Sequence, residues 1–297
     1  MKNKPAKISV IMNCFNGEKF LFEAIQSVIG QTYKNWELIF FDNQSKDNSK
    51  KIFCSFNDKR LKYFKSKKYT SLYEARNAAI KKASGKYIAF IDTDDIWISK
   101  KIELQINLFK DPKVGLIYSN FWLLKNNTGK IKKFSNSFLP SGYIYKKITE
   151  NYKIGIVTTV IKKKYFNKLN QKFNRKYNHI GDLDLFIRLS KICKFSAIQR
   201  PLAYVRLHSS NLSTLKKSDE IKELKHWKKK NNKFLSKKSI EFFNKRILNR
   251  DFINSKFKNN FLRCLKIIFL SNPNIMNLKN IFIIITPNFI LKKIMWF

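Results

Sequence analysis

Three carboxylates, Asp92, Asp94 and Asp95, fall around Thr93 directly after the apolar run KYIAFI and before Ile96 and Trp97. Charges this close repel, so an ordered site needs a compensating cation, and oxygen donors suit Mg2+ or Mn2+. An ion held by one or two carboxylates keeps positions for substrate phosphates, which points to nucleoside diphosphate chemistry. The same residues also suit a solvated loop, with Asp95 capping a helix that starts near Ser99. Asp42 closes the run WELIFF and precedes Asn43, Gln44 and Ser45, a setting for an Asx-turn. Asp182 and Asp184 open an apolar helix. A carboxylate there can serve as a general base when burial and neighbouring charge tune it, or can simply complement the macrodipole for about 0.3–1 kcal/mol. His208 follows YVRL, and a lone His of this kind is usually a packed or exposed side chain; His179 and His226 carry no assignment. Arg76, taken alone on its helix, reads as a surface ion pair.

These residues must be positioned by the elements around them. The first 125 residues alternate short β-rich runs with helix-period runs, the pattern of βαβ units building a parallel sheet. Strands are expected at 8–12, 36–41, 61–64, 86–91 and 114–124, and helices at 17–29, 47–53 and 72–83. Within 17–29, Phe20, Leu21, Ala24, Ile25 and Val28 share one stripe. Asp42 and IDTDD then both stand at carboxyl ends of strands, where open parallel sheets bind ligands. A polar hairpin is expected at 126–137, a strand at 154–161, an amphipathic helix at 182–193 and a short last strand at 203–207.

Four stretches, in this order, resemble the family 2 glycosyltransferases of the GT-A fold: ISVIMNCFNGEKFLFEAIQSVIGQTYKNWELIFFDNQSKDNS, EARNAAIKKASGKYIAFIDTDD, GDLDLFIRLS and YVRLHSSNLS. The resemblance covers residues 8 to about 215. It implies an α/β fold, a Rossmann-like mixed sheet flanked by helices, and inverting transfer of a sugar from a nucleotide-diphosphate donor, a UDP-sugar first among them. By this resemblance Cys14, Phe15 and Asn16, with Glu18 nearby, frame the nucleoside, Asp42 meets the base, and Arg76 lies near the diphosphate. Asp94 becomes the ligand of Mn2+ or Mg2+, Asp92 contacts ribose or metal with Thr93 beside it, and His208 contacts metal or diphosphate. Asp182 aligns with the general base, in a block that usually reads Glu-Asp; here Gly181 replaces the Glu, and Asp184 is the fallback base. The implied setting is bacterial cell-surface glycan synthesis, such as lipopolysaccharide or capsule, with a glycan or lipid-linked glycan acceptor. The chain lacks a QxxRW motif, which favours single addition over processive synthesis.

The bulk composition bounds the partners. With 297 residues, 44% hydrophobic and 27 of them Phe, the chain can bury a full core. Its 61 basic and 20 acidic side chains give +41, yet only nine of the basic residues are Arg. That charge brings nucleic acid or an anionic membrane into consideration, but bidentate phosphate and base recognition favours Arg, so its Lys-rich source weakens the nucleic-acid reading. Residues 216–266 hold 17 basic and five acidic side chains on a helical background. We therefore expect a glycosyltransferase domain over 1–215 and a basic helical extension over 216–297 that meets an anionic membrane surface or a partner. The apolar pieces 281–285 and 289–291, flanked by Lys279, Lys292 and Lys293, are too short and too broken to span a bilayer but suit an interfacial helix. Cys14, Cys54, Cys193 and Cys264 lie far apart, with neither zinc nor disulfide spacing, which fits a reducing compartment. No cleavable leader is expected, so the location is cytoplasmic, or peripheral at the inner face of the plasma membrane. The two competing classes are a nucleotidyltransferase, for which NCFNGEKF is a poor phosphate loop, and a non-catalytic basic nucleic-acid-binding protein.

Overall fold

A computed structural model describes residues 6–211 and 217–270, with positions 283, 286–288 and 291. The chain divides into two compact units, the first comprising residues 1–148 and 152–206, the second 149–151 and 207–297.

In the first unit the chain opens with β1 (Ile8–Cys14), α1 (Glu18–Ile29), β2 (Trp36–Asp42), α2 (Ser49–Cys54) and β3 (Leu61–Lys65). It continues with α3 (Leu72–Lys82), β4 (Tyr87–Phe90), β5 (Ile96–Trp97), α4 (Lys101–Ile106), β6 (Val114–Lys125) and β7 (Ile131–Lys133). Next come α5 (Tyr145–Glu150), β8 (Val160–Lys162), α6 (Lys163–Asn167), α7 (Gly181–Ser190) and β9 (Lys194–Leu207). The strands form one mixed sheet in the order β3-β2-β1-β4-β8-β6-β9-β5, with β7 on β6.

Strands β3, β2, β1 and β4 run parallel, with Cys14 opposite Asp42 and Asp42 opposite Lys65, so their carboxyl ends lie side by side. The apolar runs of β1, β2 and β4 are continuous because these three strands are covered on both faces: every residue of β2 and β4 is buried, while β3, at the sheet edge, is only partly covered. α1 contributes Leu21, Ala24, Ile25 and Val28 to the core against Val10, Met12, Leu38 and Phe40. Beyond β4 the sheet turns antiparallel, at β8 on β4 and at β6 on β8, so the parallel pattern expected over the first 125 residues ends at β4.

Two expected strands differ from those observed. Residues 154–161 do not form one strand: Ile156–Thr158 is a 3-10 turn and only Val160–Lys162 is extended. The hydroxyls of Thr158 and Thr159 donate to the carbonyls of Gly155 and Ile156 (2.7 and 2.8 Å), a local competitor of the sheet ladder. The last strand, expected at 203–207, begins at Lys194, where Lys, Ser, Gln and Arg interrupt the apolar residues and blur the two-residue period.

The second unit contains α8 (Lys217–Asn231), α9 (Lys237–Phe257) and α10 (Phe261–Leu270). Leu224 and Trp227 of α8 are buried with Phe243 and Ile247 of α9, and the Trp227 and Phe243 rings lie 4.9 Å apart. Buried Glu220 draws in Arg246 and Arg250 at 3.4 and 3.3 Å. Among the described residues no helix is long and apolar enough to cross a membrane. The interfacial segment expected at 281–291, with Lys279, Lys292 and Lys293, falls almost wholly outside the described residues.

Candidate active site

Three loops meet at the carboxyl ends of β1, β2 and β4. Gly17, after β1, approaches the acidic cluster so closely that a Cβ there would stand 2.9 Å from Thr93 Oγ1 and 3.0 Å from Cys14 Sγ. The β1 and β2 loops cap one another's helices. The Gly17 and Glu18 amides donate to Ser49 Oγ and Asp47 Oδ2, both at 2.9 Å, while Glu18 Oε2 accepts from the Asn48 amide and side chain. Glu18 thus holds loop to loop.

Asn16 takes a left-handed conformation (φ 52°), as does Gln44 (φ 71°), and the Asn16 amide donates to Ser45 Oγ at 3.0 Å. Cys14 is buried with its sulfur 3.6 Å from Ser45 Oγ, and burial pushes its thiol pKa up. It is a packed neutral thiol lining the loop. Phe15 is half exposed and leans on exposed Tyr69, ring centroids 4.7 Å apart. Asp42 makes the Asx-turn its sequence suggested, with Oδ1 accepting from the Ser45 amide at 2.7 Å, while Oδ2 accepts from the Tyr63 hydroxyl at 2.6 Å. One residue before Cys14, both amide atoms of Asn13 are buried without a partner, at a cost of about 1–3 kcal/mol for each unmet group.

Two members of the acidic cluster are relieved of their charge in different ways. Asp92 is paired with Arg76 at 2.5 Å. Arg76 is not the surface cation a lone helical Arg suggests: it is 3% exposed, with its guanidinium 5.4 Å from the Tyr73 ring and 5.9 Å from Phe173. Burial works against its charge, but the carboxylates of Asp92 and Asp182 outweigh that and hold its pKa above the ordinary value. Asp95 turns inward, and burial, with Asp94 and Asp92 beside it, drives its pKa well above the usual carboxylate range.

Asp95 does not cap the following helix. The chain passes first through β5, α4 begins at Lys101 without a side-chain cap, and Asp95 Oδ1 accepts from the Arg206 amide at 3.1 Å. Arg206 also donates from Nε to the Asp94 carbonyl at 3.1 Å and pairs with Glu23 at 2.5 Å. Asp92 and Asp94 stay partly exposed, hard oxygen donors of the kind a divalent cation takes. Among the described residues no three His, Cys, Asp or Glu side chains gather into a closed metal site. The donor set fits an ion that completes its shell from substrate.

Asp182 stands in the first turn of α7. Its Oδ1 accepts from the Leu183 amide at 2.8 Å and lies 3.3 Å from the Tyr73 hydroxyl on α3. Asp184 is buried and ion-paired to Arg188 at 2.8 Å, and Arg188 reaches on to the Gln171 and Lys172 carbonyls. His208 follows β9, with Nδ1 2.8 Å from Ser210 Oγ and Nε2 3.2 Å from Asn211 Nδ2. Sequence reasoning missed Asn13, Tyr69, Tyr73 and Arg206. Arg206 alone carried a signal, as the basic residue within YVRLH.

Residues 9–181 match the model of the family described as Glycosyl transferase family 2. The chain is 34% identical, over 73% of its length, to an Escherichia coli protein, UDP-Glc:alpha-D-GlcNAc-diphosphoundecaprenol beta-1,3-glucosyltransferase WfgD, of which it covers 82%. It is 32% identical over 70% of its length to an uncharacterized glycosyltransferase of Rickettsia bellii, of which it spans only 30%. Among solved structures, S. aureus TarS 1-349 in complex with UDP-GlcNAc superposes with a TM-score of 0.64 at 18% identity, covering 88% of this chain and 79% of that one. The mannosyltransferase PcManGT of Pyrobaculum calidifontis, in complex with GDP-Man and Mn2+, gives a TM-score of 0.58 at 11% identity, covering 94% and 78%.

Proposed function

The chain belongs to glycosyl transferase family 2 and is a glycosyltransferase of the GT-A fold, and from that premise we propose how its own residues perform the transfer. The observation that carries the reading is the convergence of the β1, β2 and β4 loops, which sets Asn13 to Asn16, Asp42 and the Arg76–Asp92 pair around one place. Phe15 and Tyr69 offer ring faces to a nucleobase, and Asp42 accepts a base N–H. The unpartnered amide of Asn13 meets the nucleoside, and Thr93 and Asp92 face the ribose. Arg76 is the chain's fixed cation beside the diphosphate.

A Mn2+ or Mg2+ ion held by Asp92 and Asp94 would supply Lewis-acid stabilisation of the departing nucleoside diphosphate. His208 keeps a metal or diphosphate role on the resemblance alone. Asp182 takes the proton of the acceptor hydroxyl, whose oxygen forms a bond to the anomeric carbon as the carbon–oxygen bond to the diphosphate breaks, with inversion.

WfgD, by its name, moves glucose from UDP-Glc in β-1,3 linkage to a GlcNAc-diphosphoundecaprenol. We assign this chain the same classes: a UDP-sugar donor, UDP-glucose first, and a sugar on a polyprenyl diphosphate, in bacterial cell-surface glycan synthesis. The basic second unit would then hold the enzyme at an anionic inner membrane surface, peripheral and cytoplasmic. If truncation after residue 215 leaves sedimentation with anionic vesicles at low salt unchanged, that dock is wrong.

The test of the whole reading is a panel of nucleotide sugars with Mn2+ or Mg2+ and a prenyl-diphosphate-linked N-acetylglucosamine, scored for nucleoside diphosphate release. Asp94→Ala is the control. Turnover that survives Asp94→Ala and chelation would remove the metal role.

A further inference from the structure

The block around Asp182 has Gly181 where a Glu usually stands, which leaves the base without its neighbouring side chain. The structure fills that place from another helix. A Cβ at Gly181 would lie 2.5, 2.6 and 2.7 Å from Tyr73 Cε2, Cδ2 and Cζ, distances that real Cβ atoms do not show. Tyr73 and any side chain at 181 therefore exclude one another.

The Tyr73 hydroxyl meets Asp182 twice. It accepts from the Asp182 amide at 3.2 Å and donates to Oδ1 at 3.3 Å, longer than a tight O–H···O bond of about 2.7–2.8 Å. Catalytic hydrogen bonds are often loose before substrate binds. Burial, with Asp182 beside it, pushes the Tyr73 phenol far above its ordinary pKa, so the group stays protonated and remains a donor. The ring is held in place: it stacks on buried Phe173 (5.1 Å, 22°), and Asn77 pins Phe173 by bonds to its carbonyl and amide at 2.9 and 3.0 Å. The Arg76 guanidinium, paired with Asp92, stands 5.4 Å from the same ring.

We propose that Tyr73 is the positioning residue of Asp182, standing where the side chain of residue 181 would be and fixing the carboxylate of the base from helix α3. The proposal rests on the reading of Asp182 as base. One further consequence follows from the same helix: Tyr73 and Arg76 are three residues apart on α3, so a single rigid element sets both the acceptor base and the donor's cation.

Tyr73→Phe keeps the ring and removes the hydroxyl. Loss of one hydrogen bond to a charged group is worth roughly 10- to 100-fold, and the 3.3 Å distance favours the lower end. With UDP-glucose, or the donor returned by the panel above, and the prenyl-diphosphate-linked acceptor, kcat should fall about tenfold. Donor KM and UDP binding by calorimetry should stay within about twofold. A hydroxyl that merely caps α7 would leave kcat per nucleotide-binding site unchanged.

The second variant exchanges the supports. Gly181→Glu alone should be inactive through the clash. Tyr73→Ala/Gly181→Glu should regain about tenfold or more over Tyr73→Ala, because the Glu occupies the vacated space beside Asp182. If Asp182→Asn is inactive but Tyr73→Phe retains full kcat, the Tyr73 proposal is overturned and the base reading stands. Should Asp182→Asn retain turnover, the base reading fails and takes the proposal with it. Absence of rescue in the double variant overturns the exchange between positions 73 and 181.

Discussion

Replacing Glu37 by Gln should destabilise the first unit without touching its chemistry, because Glu37 ties together the ends of the four parallel strands remote from the loops of the site. It is 1% exposed, and Oε1 accepts from Ser9 Oγ (2.6 Å) and from the amide and hydroxyl of Ser84 (2.8 and 2.7 Å). Oε2 meets Lys62 at 2.6 Å and Lys7 at 2.9 Å. Ser9 Oγ in turn accepts from the Gly85 amide at 2.8 Å, just before β4. Both lysines are about 40% exposed, so their two ion pairs are discounted to about 0.5 kcal/mol each. The larger loss is charge assistance: the Gln carbonyl keeps the Ser9 and Ser84 donors but as neutral bonds, and its NH2 faces the two lysines, about 2 kcal/mol. The total of about 3 kcal/mol should lower Tm by roughly 6–12 °C.

The same residue gives a pH signature with a fixed sign. Burial raises the Glu37 pKa, but the bonds from Lys62, Ser9, Lys7 and Ser84 outweigh it and hold the carboxyl well below the usual carboxylate range. A depressed folded value means the stabilisation is complete above the unfolded pKa of about 4.3. It is lost as pH falls towards the folded value, by up to about 1.4 kcal/mol per unit. Thermal denaturation of parent and Glu37→Gln from pH 7 to pH 3 should therefore show a constant gap down to about pH 5 and a shrinking one below. A gap under about 2 °C at pH 7, or one that widens on acidification, refutes the reasoning. Transfer per folded molecule at 25 °C should match the parent.

Asp182→Asn should abolish transfer while circular dichroism and UDP binding stay as in the parent. Asp184→Asn, which breaks the pair with Arg188, should instead lower Tm while retaining measurable transfer. Gly17→Ala forces Thr93 and Cys14 apart, so donor KM should rise about tenfold with Tm within about 2 °C of the parent, read by steady-state kinetics. Arg206→Met releases the Asp94 carbonyl, and the Mn2+ concentration for half-maximal activity should rise roughly tenfold.

Where function was legible in the sequence, it was because local patterns carried it. Strands β1, β2 and β4 are buried on both faces, so their apolar runs are unbroken and end sharply at Cys14, Asp42 and the acidic cluster. The helix α1 stripe is equally local. What stayed hidden depends on partners far along the chain: Asp95 takes its hydrogen bond from Arg206, and Asp182 meets Tyr73, each across more than 100 residues. A Tyr in the first turn of a helix carries no mark of that role. Asp95 shows the consequence, since its spacing suits a cap and its environment makes it a buried acceptor.

Helix α3 joins the two halves of the proposed chemistry. Its start is fixed by the reciprocal capping box of Ser71 and Glu74. Just before it, Thr70 exchanges backbone bonds with the Asn43 side chain at 2.8 and 3.1 Å, which locks the helix to the carboxyl end of β2. From that anchored first turn Tyr73 reaches Asp182, one turn later Arg76 reaches Asp92, and Asn77 holds the Phe173 ring on which Tyr73 rests. The acidic cluster therefore does not wait on a bound ion for all of its neutralisation. Arg76 takes Asp92 and burial discourages the charge of Asp95, while Asp94 stays partly exposed beside them. If Asp182 is the base and Arg76 the donor's cation, as proposed, one helix sets both, so neither can shift without the other and acceptor and donor geometry are fixed together.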